Sequence, residues 1–389
     1  MPHENAAMGM AHGYYLATGK AQAVMAHTNV GLANCAIGAI NAATEHVPVV
    51  LMSGRTPVME KGRLGARTVP IGWGQEMRDQ GAMVREATKW EYELKFPEQV
   101  PDVVDRAYAI ASSVPKGPVY VSLPREVLCE PCPGDAIDGP LRQQPVQIAP
   151  PQASVETAAD ILAKAKNPVI IAQRGTGTAE AFGRFADLVD QWGIPVVQYG
   201  AVDPMSKGYV SRCLSEAIAS RPATVFSELG CPLEPLSLSA HSSWFQEPHS
   251  GGLGWSFPAS MGYQLADKDR LVVATMGDGS YMFANPTACH QIAEALELPI
   301  LILVLNNNEW GAVRQSVTGI YPDGYASKTN EMPLTALKPS PDFTKVAEAS
   351  RAWVAKAKRA EDLPGILRDA IKHIDTHRTH ALVEVTIAP

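Results

Sequence analysis

Residues 271–311 read LVVATMGDGSYMFANPTACHQIAEALELPILILVLNNNEWG and contain the pattern that decides the fold. An apolar strand ends in GDGS (277–280), a helix follows, and a second apolar strand ends in NNN (306–308). A parallel strand, helix and strand unit brings the carboxyl ends of both strands to one edge of a sheet. We therefore expect the side chains of Asp278 and Asn307 to lie close together at that edge.

Oxygen-bearing side chains at two neighbouring strand ends favour a site for a hard cation. Carboxylate, amide and backbone carbonyl oxygens are the donors that Mg²⁺ and Ca²⁺ prefer, and Mg²⁺ commonly adds phosphate oxygens. The glycines beside Asp278 allow a diphosphate to approach the backbone, and a helix expected to begin near Asn285 offers its positive end. The alternative is an ordinary turn with a surface Asp, since Gly and Asp are common in turns. The paired Asn residues after a matching strand favour the cation site.

The order Gly277-Asp278-Gly279, helix, strand, Asn306-Asn307 resembles the signature of the thiamine-diphosphate enzymes of the 2-oxo-acid decarboxylase and acetolactate synthase superfamily. The resemblance implies that Asp278 and Asn307 are side-chain ligands of Mg²⁺ and that the backbone carbonyl of Glu309 is the third protein ligand. It also implies a diphosphate-binding role for the segment 277–280, through Gly277, Gly279 and Ser280.

The segment HENAAMGMAHGY (3–14) resembles the other half of the cofactor site in this superfamily, where a glutamate precedes a helix. Glu4 is therefore the candidate general acid that protonates N1′ of the aminopyrimidine, a task suited to a carboxyl group. The alternative is an acidic residue in the first turn of a helix, where it compensates the helix dipole.

The segment HTNVGLAN (27–34) ends the next predicted strand, and its first residue resembles the histidine of benzoylformate decarboxylase. That resemblance places His27 over the reacting carbonyl, where an imidazole with a near-neutral pKa can relay protons. A polar residue near the surface is the alternative. Asn34, at the end of this segment, is a candidate cofactor-binding residue.

The segment GGLGW (251–255) resembles the part of these enzymes that holds the pyrimidine ring. The resemblance implies that the Gly251 carbonyl accepts a hydrogen bond from the 4′-amino group. It also implies that Leu253 is the apolar wedge that bends the cofactor, which brings N4′ against C2. The alternative is a Gly-rich turn before a helix. His249, just upstream, is a candidate for the substrate pocket.

Alternating helical and strand patterns predict an α/β fold with two thiamine-diphosphate-binding domains, built on parallel sheets flanked by helices, and a truncated α/β middle unit. We expect a pyrimidine-binding domain over 1–128, a linker over 129–152, a middle remnant over 153–204 and a diphosphate-binding domain over 205–389. Three stretches predict little regular structure: 71–94, expected as loop plus helix, 231–254, and the residues from the metal segment to about 341.

Two departures from the superfamily pattern stand out. A strand and helix usually precede the glutamate that matches Glu4, and the middle domain usually has a full sheet. The chain is either a shortened variant or lacks segments of a longer protein, and the small middle unit argues against FAD.

Composition excludes several classes of function. The 389 residues carry a net charge of −7, which disfavours a nucleic-acid partner. An apolar run long enough to span a membrane and the pattern of a signal peptide are both absent from the sequence, so we expect a cytoplasmic protein. The pair in CEPC (129–132) lacks a second pair for zinc, and RGTGT (174–178) lacks the remaining features of a phosphate loop.

The sequence predicts a thiamine-diphosphate- and Mg²⁺-dependent lyase, most directly a 2-oxo-acid decarboxylase. Alternatives are a carboligase of the acetolactate synthase or benzaldehyde lyase type, and a cofactor-binding paralogue without turnover. A Rossmann dehydrogenase is disfavoured because no complete GxGxxG follows a strand. The expected partners are a small 2-oxo acid or aldehyde and a second copy of the chain. Glu4 and Asp278 lie in different domains, so the resemblance implies a homodimer or dimer of dimers with shared sites.

Overall fold

The computed structural model describes residues 1–132, 134, 143–165, 180, 183–184, 187, 205–238, 240–329, 332 and 335–388. Within these residues the chain forms two parallel β-sheets, each flanked by helices. The predicted α/β fold with two parallel-sheet units is confirmed. The strands and helix expected between 168 and 198, and the RGTGT segment, lie outside the described residues or reach only isolated positions of them.

The N-terminal unit is built on a four-stranded sheet of order β1-β2-β4-β3, with every pair parallel. Its elements are α1 (Glu4–Thr18), β1 (Gln22–Ala26), α2 (Thr28–Thr44), β2 (Val49–Arg55), α3 (Ile71–Gly74), β3 (Glu91–Glu93), α4 (Val100–Ser112), β4 (Val119–Pro124) and α5 (Arg125–Leu128). A further helix, α6 (Gln152–Lys164), follows this unit in the chain.

The C-terminal unit has a six-stranded parallel sheet of order β6-β5-β7-β8-β10-β9. Its elements are α7 (Lys207–Ile218), β5 (Ala223–Glu228), β6 (Trp244–Gln246), α8 (Ser256–Ala266), β7 (Leu271–Gly277), α9 (Asp278–Phe283), α10 (Pro286–Ala295), β8 (Leu301–Asn306), α11 (Gly311–Ile320), α12 (Tyr325–Thr329), α13 (Phe343–Glu348), β9 (Trp353–Ala357), α14 (Leu363–His377) and β10 (Ala381–Thr386).

The central strands β7 and β8 are apolar on both faces because helices cover both sides of the sheet. One face, with Val273 and Leu303, packs against α7 and α14. The other face, with Val272 and Ile302, packs against α8, α10 and α13. This burial explains why both strands are almost entirely apolar; the polar Thr275 inside β7 is itself fully buried.

The structure corrects several sequence-based expectations. The helix expected to begin near Asn285 is present as α10, with Asn285 at its N-cap position, but a short helix that was not expected, α9, precedes it and begins at Asp278 itself. The stretches expected to be irregular contain β3, β6, α11 and α12, and β9 was not expected. The strands β3 and β6 have three residues each, too few to show a period of two. The helix α9 contains Gly and Ser, which have weak helix propensity.

The two units meet where α1 crosses α8 with backbones in close contact. A Cβ atom on Gly13 would lie 1.8 Å from the Ala259 carbonyl oxygen, and one on Gly262 would lie 2.0 Å from the Met10 carbonyl oxygen. Only glycine allows this approach at either position. The crossing therefore fixes the N-terminal helix directly on the C-terminal unit.

None of the helices that the structure describes is long and apolar enough to cross a membrane. The six cysteines, Cys129 and Cys132 among them, form no disulfide bond.

Candidate functional site

The carboxyl edge of the six-stranded sheet brings the GDGS and NNN segments together as predicted. The parallel register pairs Gly277 with Leu305, so Asp278 and Asn306 leave adjacent strands at the same level. The loop after β8 then folds over α9, and a Cβ on Gly279 would lie 2.2 Å from the Trp310 ring. Glycine at 279 is required for this contact.

Asp278 is 2% exposed and has one unsatisfied carboxylate oxygen. Its Oδ1 accepts a hydrogen bond from the Gly279 N–H at 3.0 Å, and its Oδ2 has no partner among the described residues. Burial, helped to a small extent by the Glu309 charge, raises the Asp278 pKa to about 6 against the opposing effect of the Gly279 and Asn308 N–H groups. A buried carboxylate oxygen without a donor is costly unless a cation binds it. The Asp278 side chain therefore fits a metal ligand.

The loop after β8 presents an amide and a backbone carbonyl beside this carboxylate. Asn307 Oδ1 accepts from the Glu309 N–H at 3.2 Å, and the Glu309 carbonyl accepts from the Gly311 N–H at 2.9 Å. Each of these oxygens retains a second lone pair. The described residues contain no group of three His, Cys, Asp or Glu side chains placed to hold a metal. A metal at this edge would therefore use mixed oxygen donors, a set that suits Mg²⁺ or Ca²⁺.

A buried network that the sequence analysis missed holds this loop. Asn306 Nδ2 donates to Glu384 Oε1 at 2.9 Å, and Asn306 Oδ1 accepts from the Asn308 N–H at 2.9 Å. Glu384 also pairs with Lys356, whose Nζ lies 3.2 Å from Glu384 Oε2. The available signal was a single acidic residue inside the otherwise apolar strand ALVEVT.

In the N-terminal unit the structure brings Glu4, Asn34 and the start of α2 together. Asn34 Nδ2 donates to Glu4 Oε2 at 3.0 Å, which lowers the pKa of Glu4; His3 and His27 lower it further, and partial burial opposes them. A Cβ on Gly31 would lie 3.0 Å from Glu4 Oε1, so the absence of a side chain at Gly31 leaves room for the Glu4 carboxylate.

His27 lies at the N-cap position of α2 and is exposed in the single chain. Its imidazole is near enough to Glu4 to act on that carboxylate electrostatically. The structure thus places His27, Asn34 and Glu4 at one end of the N-terminal unit.

The segment 251–253 packs on α2 of the same chain. Gly252 accepts a hydrogen bond from Asn41 Nδ2 at 3.1 Å, and a Cβ at Gly252 would lie 2.2 Å from Asn41 Oδ1. Gly251 has a φ of 64°, with open space where a side chain would stand, and Leu253 is half-buried. The His249 imidazole is held by Glu45, whose Oε1 lies 2.8 Å from His249 Nδ1, so the ring is not free to turn toward a substrate pocket.

The two predicted halves of the site lie at opposite ends of the α1 and α2 pair within one chain. Trp255, which follows the 251–254 segment, has its ring 5.5 Å from that of His12, eight residues and about 12 Å along α1 from Glu4. Likewise, Asn41 is seven residues and about 10 Å along α2 from Asn34. One chain therefore does not bring Glu4 up to the 251–253 segment.

These features define an α/β protein with two parallel-sheet units, one carrying a group of oxygen donors around the buried Asp278 and the other a positioned glutamate. Two family models match these units. The thiamine pyrophosphate enzyme N-terminal TPP binding domain matches residues 1–83, and the C-terminal TPP binding domain matches residues 233–385. Together they cover well over half of the chain. The chain belongs to the thiamine pyrophosphate (thiamine diphosphate) enzyme family.

Relatives and solved structures agree with this assignment. The benzoylformate decarboxylase of Pseudomonas aeruginosa is 23% identical over 488 aligned positions, which cover 95% of this chain and 88% of the relative. The mitochondrial acetolactate synthase catalytic subunit of Saccharomyces cerevisiae is 23% identical, with 95% and 72% covered. The structure of benzoylformate decarboxylase from Polynucleobacter necessarius superposes with a TM-score of 0.81 at 18% identity, covering 99% of this chain and 90% of that one.

A Rhodococcus jostii 4-hydroxybenzoylformate decarboxylase superposes with a TM-score of 0.74 at 20% identity, covering 99% and 91% of the two chains. At these identities the structural likeness shows the fold. The chain is a thiamine-diphosphate enzyme of the decarboxylase and acetolactate synthase group.

Proposed function

We propose that this enzyme is a Mg²⁺-dependent lyase that cleaves or forms the C–C bond next to a carbonyl, and that its reaction is decarboxylation of a 2-oxo acid. The observation that carries the proposal is the unsatisfied, buried Oδ2 of Asp278 beside the Asn307 and Glu309 oxygens. These atoms lie in the part of the chain that matches the C-terminal TPP binding domain. Relatives named as benzoylformate decarboxylases support the reaction type.

The diphosphate half of the site is assigned to residues at the carboxyl edge of the C-terminal sheet. Asp278, Asn307 and the Glu309 carbonyl would hold Mg²⁺, which in turn binds phosphate oxygens. Gly277, Gly279 and Ser280 would face the diphosphate, since a side chain on Gly277 would meet nothing within 4 Å. The bound cofactor supplies an electron sink for the bond that breaks.

The proton chemistry is assigned to the N-terminal unit. Glu4 holds a proton at the pyrimidine N1′, and Asn34 keeps the carboxylate in place through the 3.0 Å hydrogen bond. The exposed His27 moves a proton at the reacting carbonyl. In the other unit, the Gly251 carbonyl would accept a hydrogen bond from the 4′-amino group, and Leu253 would support the pyrimidine ring.

We further propose that each site is shared between two copies of the chain. Glu4 and the 251–253 segment lie at opposite ends of the α1 and α2 pair, although both would contact one pyrimidine ring. A second copy that supplies Glu4 satisfies both contacts, as the closed symmetry of a homodimer or a dimer of dimers allows.

The proposed domain boundaries remain 1–128 for the pyrimidine-binding domain, 129–152 for the linker, 153–204 for a middle remnant and 205–389 for the diphosphate-binding domain. The alignment with the Pseudomonas aeruginosa decarboxylase spans 488 positions whereas this chain has 389 residues, so segments of that relative have no counterpart in this chain.

Calorimetric titration with thiamine diphosphate and Mg²⁺ tests the proposal directly. We expect saturable binding to the wild-type protein and a loss of at least about 100-fold in affinity for Asp278→Asn, because the amide removes the ligand charge. The exposed Asp369 of α14 provides the matched control, and Asp369→Asn should bind as the wild type does. Equal binding by Asp278→Asn and the wild type would contradict the metal assignment.

An assay of CO₂ release distinguishes a decarboxylase, a carboligase and a paralogue without turnover. The substrates are benzoylformate, 4-hydroxybenzoylformate and pyruvate, and the products are analysed in each case. Aldehyde and CO₂ support a decarboxylase. A coupled product such as acetolactate supports the carboligase that the acetolactate synthase relative suggests. Cofactor binding with neither product would indicate a paralogue without turnover.

A further inference from the structure

A carboxylate outside the predicted site lies between its two cofactor-binding segments. Glu228 is the last residue of β5, is 1% exposed, and pairs in the parallel register with Met276 of β7. Its side chain is therefore buried one residue beyond the level of Thr275, close to where β7 leads into Asp278. No cationic side chain forms an ion pair with Glu228 among the residues that the structure describes.

Three backbone N–H groups at the start of α8 satisfy this carboxylate. Glu228 Oε1 accepts from Gly254 at 2.6 Å, and Oε2 accepts from Trp255 and Ser256 at 2.7 Å each. These are short, charge-assisted hydrogen bonds in a dry environment, where they are strong. They fix the backbone directly after the segment 251–253.

The same carboxylate lies beside the diphosphate segment, because Glu228 pairs with Met276, the residue before Gly277. Burial raises the Glu228 pKa to about 7, and the three N–H groups and the nearby Ser280 side chain oppose that rise. The two segments also touch each other, since a Cβ on Gly254 would lie 2.4 Å from the Phe283 carbonyl oxygen. Gly254 has a φ of 85°, so glycine is needed there on both counts.

We propose that Glu228 is a positioning residue that sets the distance between the pyrimidine-binding segment 251–253 and the diphosphate-binding segment 277–280. The proposal rests on the function assigned above. A cofactor that spans both segments binds well only when their spacing is already correct, because preorganisation lowers the cost of binding. The carboxyl group is suited to this task, since its two oxygens accept from all three backbone N–H groups at once.

The test is calorimetric titration of thiamine diphosphate and Mg²⁺ into wild-type protein, Glu228→Gln and Glu228→Asp. Glutamine has one acceptor oxygen, and its NH₂ group would face a backbone N–H, so we expect at least about a tenfold loss of cofactor affinity. Aspartate keeps the charge and should recover part of that loss. In cofactor-free Glu228→Gln, hydrogen exchange of peptides covering 251–256 should be faster than in the wild type.

The matched control is Glu126, a 6% exposed carboxylate whose Oε1 accepts from the backbone N–H groups of Val58 and Met59 at 2.6 and 2.9 Å. Glu126→Gln should lower the unfolding temperature and leave cofactor affinity unchanged. A Glu228→Gln protein that is less stable but binds the cofactor as tightly as the wild type would overturn the positioning role.

If Glu228→Gln does not fold, Glu228→Asp carries the test, with about a threefold loss of affinity and faster exchange of 251–256 expected. Wild-type cofactor affinity in Glu228→Asp would overturn the positioning role of Glu228 and leave the proposed function intact. Failure of the wild-type protein to bind thiamine diphosphate would overturn the proposed function instead, and the two failures are therefore distinct.

Discussion

Two histidines of the C-terminal unit are buried where an imidazolium would be poorly solvated. His290 Nε2 lies 2.7 Å from the Tyr281 hydroxyl oxygen, and the His290 and His380 rings are 5.1 Å apart. Burial lowers the pKa of both, that of His380 to about 4. Both side chains are thus neutral in the folded protein at pH 7.

We predict that the contribution of His380 to the free energy of unfolding decreases as the pH falls below about 6.5, the ordinary pKa of histidine, whereas the raised pKa values of Glu228 and Asp278 act in the opposite direction. Between that value and the lower folded pKa, the unfolded chain binds a proton at His380 that the folded chain does not, so acid favours unfolding. The His380 contribution alone amounts to about 2 kcal/mol at pH 5. Urea denaturation at pH 7.5, 6 and 5 measures this effect.

His380→Phe keeps a ring against His290 without the titration, so between pH 7.5 and pH 5 the wild type should lose about 2 kcal/mol of unfolding free energy relative to this variant. The exposed His46 supplies the control: His46→Asn should keep the wild-type pH dependence, and asparagine tolerates the φ of 52° found there. An unchanged pH dependence in His380→Phe would show that its burial is not the cause.

At the residue scale, the sequence predicted side chains that stand in conspicuous motifs and missed those that support them. Asp278 and Asn307 are polar residues that directly follow apolar strands, and the sequence alone shows this change from apolar to polar. Glu228 and Glu384 are single acids within or at the end of apolar strands. Their partners are backbone N–H groups or side chains far away in sequence, and no periodicity reveals those contacts.

At the scale of elements, the crossing of α1 and α8 makes a specific prediction. Gly13→Ala would place a methyl group 1.8 Å from the Ala259 carbonyl oxygen, and both backbones are held by their own helices. The helices must separate, so we expect destabilisation by about 3 kcal/mol, at the upper end for overpacking. Chemical denaturation of the purified variant measures the change.

A second helical glycine provides the control for this substitution. Gly319 in α11 has nothing within 4 Å of the position that a methyl group would take, so Gly319→Ala should be neutral or stabilise by up to about 1 kcal/mol through helix propensity. If both substitutions had the same effect, close backbone contact at Gly13 would not be important for stability.

The elements that the sequence predicted well are those with enough residues to show a period. The helix expected after the glutamate at position 4 is present as α1, and its end before Gly19 follows from the left-handed φ of 68° there. In contrast, β9 is an edge strand with only partial burial, so its apolar pattern is weak. Pairing with β10, a contact between strands that are distant in sequence, stabilises it.

At the scale of the whole molecule, the separation of Glu4 from the 251–253 segment within one chain leads to a complementation test. Glu4→Gln should lose the proton-transfer function, and Asp278→Asn should lose the metal ligand, so each homo-oligomer should have little activity. In a dimer with shared sites, a mixed pair combines both defects in one site and neither in the other. Mixed dimers should therefore recover about half of the wild-type activity.

Co-expression of the two variants with different affinity tags, followed by purification on both, isolates the mixed assemblies. The homo-oligomers purified in parallel set the background for the assay of the wild-type reaction. A site built from one chain cannot be restored by this mixing, because every copy carries a defect. Recovered activity would require Glu4 of one copy to serve the 251–253 segment of another, and failure of an intact mixed dimer to recover it would contradict the shared site.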